Sequence, residues 1–198
     1  MKTFDLFYPD LMPNVPGCPE PVADQALKRA AIRFCELTLA WRAKLDPIET
    51  EDGTDEYDLP LDRNVELVRI EVARIDDRDI AVATQNDTCR HRDHIGCYDG
   101  KTVIVNPTPS SVRQIVLTCT LKPGNGATGV EDFLYDRHCA LIALGAGAIL
   151  MRQPLKTYSN PQQSMLDQAE FEEKCAGVKL KLWRGNARNT PRVQPSWY

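Results

Sequence analysis

Residues Phe133 to Met151 are apolar nearly all round the helical repeat and include Ala140, Ala143, Gly145, Ala146, Gly147 and Ala148. A helix of that composition must be buried, and its small side chains let neighbouring backbones approach closely. Its central run, Ala140–Met151, is about a dozen residues, short of the ~18–20 that a membrane span needs. Two further helical patterns supply partners. After Pro21, residues Ala23, Leu27, Ala30, Phe34, Leu37 and Trp41 recur at spacings of four and three, which predicts an amphipathic helix running up to Pro47. Asn160-Pro161 reads as a cap and first-turn proline, followed by the stripe Phe171, Cys175, Val178 and Leu182.

Between these patterns the period changes. Leu67–Ile75 alternates, Asp99-Gly100 is a hairpin signal, and Val112–Leu121 reads as a strand with Ile115, Leu117 and Cys119 on one face. With no helical pattern between the strands, an antiparallel sheet is expected. The expected fold class is therefore α+β: a helical bundle of about three long helices with an inserted antiparallel β-sheet and extended N- and C-terminal arms. The boundaries are 1–20 for the first arm, 21–46 and 130–182 for the bundle, 57–122 for the β insert and 183–198 for the terminal arm.

Charge is unevenly spread. The chain has 24 Lys+Arg and 28 Asp+Glu, a net −4. From Lys174 onward there are six bases and no acid, which leaves −10 on the rest. Asp46, Glu49, Glu51, Asp52, Asp55, Glu56 and Asp58 form a run with no base. An acidic body with a basic terminal segment points to docking on a partner; solvated surface accounts for the same residues. The terminal segment also carries Trp183, Trp197 and Tyr198. Aromatic anchors with Arg184, Arg188 and Arg192 suit a protein groove lined with carboxylates. The acidic body favours that over nucleic acid.

Enzymatic chemistry finds little support in the residues. Gly124–Gly129 matches GxGxxG, but no acid follows about 20 residues on, and Glu131 and Asp132 would face a pyrophosphate. A capping box, Thr128-Gly129-Val130-Glu131, accounts for the same residues. Ser110-Ser111 has no nucleophile elbow, and His138 and Cys139 point in different directions on a helix. Cys89, His91, His94 and Cys97 have the residue types that zinc prefers, although one short loop would have to wrap the ion alone. A small zinc-binding interaction module is thus an alternative. Seven cysteines without a compact framework are expected to be reduced thiols.

Several stretches resemble the head–tail connector (adaptor) proteins of tailed bacteriophages. Leu11-Met12-Pro13 through Cys18-Pro19-Glu20-Pro21 contains a PGCP lead into the first helix. Ala26–Glu36 is similar to the AL-RAA-EFC pattern of that helix, and Tyr57-Asp58-Leu59-Pro60 running into Val65–Val68 resembles the Y-LP step into the first strand. The late helix pair joined at Gln153-Pro154 also fits. The 89–97 loop has no counterpart in the resemblance. The resemblance implies a non-enzymatic virion protein without a cofactor, assembled in the host cytoplasm into a twelvefold ring beneath the portal. A downstream tail or nozzle protein would bind below, and genomic DNA would touch the channel only non-specifically. Trp183, Arg184, Arg188, Arg192, Trp197 and Tyr198 would then be the portal-docking residues.

Overall fold

A computed structural model describes residues 1–83 and 93–185. In chain order come β1 (Lys2–Thr3), a tight helical turn Phe4–Phe7, α1 (Tyr8–Leu11), a second turn Met12–Asn14 and α2 (Glu20–Thr38). The strands β2 (Arg42–Lys44), β3 (Ile48–Glu49), β4 (Glu56–Asp58), β5 (Val65–Ile75) and β6 (Arg78–Ala83) follow. Then come β7 (His94–Gly96), β8 (Thr102–Asn106), β9 (Gln114–Pro123), β10 (Gly129–Val130), α3 (Asp132–Met151) and α4 (Pro161–Arg184).

The expected architecture is overturned. In place of a long three-helix bundle with a small inserted sheet, there are four helices and an eight-stranded, curled mixed sheet resembling a half-barrel. The sheet runs β2-β9-β5-β6-β7-β8-β4, with β3 also on β9. It is mixed because β6 and β7 pair in parallel, Val82 opposite Ile95. Two parallel strands cannot be joined by a two-residue hairpin turn. The sheet also reaches into residues assigned to helix, since β2 spans Arg42–Lys44.

The helix α2 ends at Thr38, well before Pro47, for two local reasons. Thr38 donates its hydroxyl back to the Phe34 carbonyl, at 2.7 Å, and Leu39 takes a left-handed conformation at φ 56°. A leucine there costs about 1–2 kcal/mol, offset by burial of its side chain at 8% exposure. The chain then turns so that Trp41 lies outside the helix and packs against two cores. One core is helical, with Phe7, Leu27, Phe34, Ile142, Leu150 and Phe171; the other lies on the sheet, with Ile95, Val103, Ile115, Leu117 and Cys119.

Residues 1–20 are not an extended arm. Phe4, Phe7, Leu11 and Val15 are buried in the helical core, and the Phe7 ring meets Tyr135 edge-on at 5.2 Å. Pro9 and Pro13 sit in first-turn positions of short helical pieces, where a missing N–H costs nothing. Nor is there a capping box before α3. Gly129 and Val130 form β10 against β1, and Glu131 caps α3 without a side-chain bond.

Other local expectations match the structure. Asn160 accepts from the Gln163 N–H at 3.1 Å, with Pro161 in the first turn of α4. Asp99 accepts from the backbone N–H groups of Lys101 and Thr102, which hold its carboxyl down to about 2, and Gly100 turns at φ 75°. On β5 two register irregularities, between Leu67 and Arg69 and between Ile70 and Val72, break the alternation, so Ile70 and Ala73 face the core and Val72 does not. By length and composition α3 alone among the described helices is apolar enough to cross a membrane. In the fold it packs against α1, α2 and α4.

Candidate docking surface

The GxGxxG stretch serves packing. The Gly124 N–H donates to the Asn64 carbonyl at 2.8 Å, and the Asn125 N–H points at the Glu66 carboxylate at 3.3 Å. A phosphate there would meet an occupied donor and an anion. A Cβ on Gly129 would overlap the Lys2 carbonyl oxygen, so glycine is required where β10 passes β1. Gly129→Ala is expected to displace β1 and cost about 1–3 kcal/mol. Limited proteolysis should then cut within residues 1–20 faster than in the parent, and equal cutting would refute the clamp.

His138 and Cys139 are each occupied by a neighbour. The His138 ring packs on Phe34 at 4.7 Å between centroids, and burial with nearby Arg137 lowers its basicity. The Cys139 thiol donates to the Asp10 carboxylate at 3.1 Å, and burial with that charge pushes its pKa up to about 12. Of the zinc candidates, Cys89 and His91 lie outside the described residues. His94 is half-buried on β7 with its Nδ1 3.4 Å from the Asn106 amide, and Cys97 follows β7 with its thiol raised by burial. Among the described residues no three His, Cys, Asp or Glu side chains gather as a metal site.

The acidic run forms an ordered surface. Asp46, Glu49, Glu51, Asp52, Asp55, Glu56 and Asp58 are all exposed, and none makes an ion pair among the described residues. The Tyr57 hydroxyl gathers the loop by accepting from the Glu51 N–H at 3.1 Å and donating to the Thr54 carbonyl. Further bonds tie the loop to the strand connection beyond β8: the Gly53 N–H to the Pro109 carbonyl at 3.0 Å, and the Thr50 hydroxyl to the Ser111 carbonyl at 3.0 Å. Uncompensated carboxylates held on a fixed loop repel polyanions and attract bases.

At the other pole of charge, Trp183 and Arg184 are the last two residues of α4 rather than the start of an arm. Trp183 is 80% exposed. Arg188, Arg192, Trp197 and Tyr198 lie outside the described residues. Beside this end runs a cleft of about 710 Å³ between α3 and α4, floored by Leu141, Leu144 and Val178 and edged by Arg137, Lys174 and Lys181. The helices close on each other further along, where Gly145 faces the ring of Phe171. A second cleft of about 430 Å³ brings Arg78 and Arg113 together with Asp76 and Asp93 near the end of β8.

The composition of α4 explains what sequence reading passed over. Of the expected stripe Phe171, Cys175, Val178 and Leu182, the first two are buried and Val178 is half-buried, but Leu182 is exposed at 39%, and Met165, Leu166 and Leu180 face outward at 71%, 61% and 52%. Leu180 and Trp183, three residues apart, were the available signal of that outward face. No protein-family model matches the chain, and no curated protein matches it.

Proposed function

We propose that this chain is a structural virion protein that forms a ring between the portal and the tail of a tailed phage. In this reading it guides DNA passage and receives tail components, and it carries out no reaction. The observation that supports the reading best is the projection of Trp183 and Arg184 from the end of a 24-residue helix, directly ahead of a basic aromatic segment. An exposed tryptophan beside arginines is the usual composition of an interface anchor. The unpaired acidic loop suits a channel that DNA passes without sticking, because carboxylates offer phosphates no counterion. The sequence resemblance supplies the identity of the partner, the portal, and the expectation of twelve copies.

Removal of residues 186–198 together with Trp183→Ala and Arg184→Ala is expected to abolish co-sedimentation with portal rings. Far-UV circular dichroism should stay unchanged, since Trp183 and Arg184 are exposed at the last turn of α4. Portal binding at the parental level would end the docking claim. Labelling of phage particles with gold-conjugated antibody against this chain should mark the vertex between head and tail.

A further inference from the structure

Helix α4 has two apolar faces, and the described residues cover only one of them. Ser164, Asp167, Phe171 and Cys175 are buried toward α2 and α3. Roughly opposite on the helix lie Met165, Ala169, Ala176, Leu180 and Trp183, all exposed. Their separations of four, seven, four and three residues describe a seam of the kind that receives another helix. The seam has small residues at its middle, where two backbones would need to approach, and large ones toward its ends.

Charge along α4 states what the other helix is. Glu170, Glu172 and Glu173 precede Lys179, Lys181 and Arg184 on exposed positions, so the first half of this surface is acidic and the second basic. We propose that α4 pairs antiparallel with α4 of a second copy across a two-fold axis near Ala176. In that register Ala169 lies beside the second copy's Leu180 and Trp183. One flank brings Glu172 to the second copy's Lys179, twice by symmetry, while Glu170 and Lys181 line the cleft toward α3 and take no part. A parallel arrangement would set like charge on like and is rejected by the same arithmetic. Residues 186–198 of the same copy are a poorer occupant, because Arg188 and Arg192 would approach a half-helix that is already basic.

The pairing goes beyond the portal-docking reading and does not depend on it. It does have a bearing on that reading, since Trp183 lies on the shared seam and a paired copy withholds it from other partners.

The test uses the full chain in three forms: parent, E172K and K179E. Sedimentation equilibrium over the micromolar range should show the parent approaching twice 22.3 kDa, with association weakened by salt. Each variant alone turns both symmetry-related flanking pairs repulsive and should dimerise at least ~10-fold more weakly. An equimolar mixture of the two variants restores every opposite-charge pair and should recover the dimer. A parent that stays monomeric, variants that dimerise normally, or a mixture that stays monomeric would each overturn the proposal. Recovery in the mixture also shows that both variants are folded.

Discussion

Phe171→Ala is expected to be the most damaging single substitution in the helical layer, costing about 3–5 kcal/mol of unfolding free energy. The ring is 2% exposed and fills the space left by the missing side chain of Gly145, whose Cβ would come within 2.8 Å of it. Truncation therefore opens a cavity at the closest approach of α3 and α4, where helix backbones cannot collapse inward without losing their other contacts. Gly145→Ala should itself cost about 1–3 kcal/mol, because the buried ring has nowhere to retreat. The double substitution Gly145→Ala with Phe171→Leu should cost less than the sum of its parts, since the smaller side chain relieves the overlap. Chemical denaturation of the four proteins measures this directly; strict additivity would mean that the two residues are not in contact.

Trp41→Ala is expected to lose about 2–4 kcal/mol and, more tellingly, to split one unfolding transition into two. Trp41 is only half-buried, so its cost lies below that of a fully enclosed tryptophan. Its importance comes from position, since it packs on both the helical core and the sheet core. The polar links between the same units are weaker. Lys122 reaches Glu36 at 2.8 Å and Glu66 at 3.7 Å, and the Lys28 ammonium donates to the Asn125 carbonyl at 2.8 Å. Partly solvated links of that kind contribute about 1 kcal/mol each. Calorimetry should therefore show a broadened or resolved double transition in the variant. A single sharp transition with little loss would assign the coupling to α2 packing on β9 instead.

What the chain disclosed in advance was mostly local. The stripe of α2, the Asn160 cap and the Asp99-Gly100 turn each depend on neighbours within four residues, and periodicity or turn chemistry reports those directly. The extent of the sheet was hidden because β2, β3 and β4 are two or three residues long, too short for alternation to register. The parallel β6–β7 pair was hidden because pairing direction depends on where a crossover returns, not on strand composition. Residues 1–20 were misread for a different reason. Their prolines signal interruption, whereas Phe4, Phe7, Leu11 and Val15 carry the burial, and the second signal decides where the chain lies. At the docking surface, the basic character after Lys174 was legible from composition. The outward seam of α4 was masked by the stronger inward stripe on the same helix.

The two outer strands of the sheet carry opposite guards. The exposed side chains of β2 are Arg42 and Lys44, and those of β4 are Glu56 and Asp58. An unpaired strand is a template for fibril growth, and charge on it is what keeps like edges from joining. Each edge therefore repels the same edge of another copy, whereas the basic β2 edge of one copy attracts the acidic β4 edge of the next, and salt screens both effects.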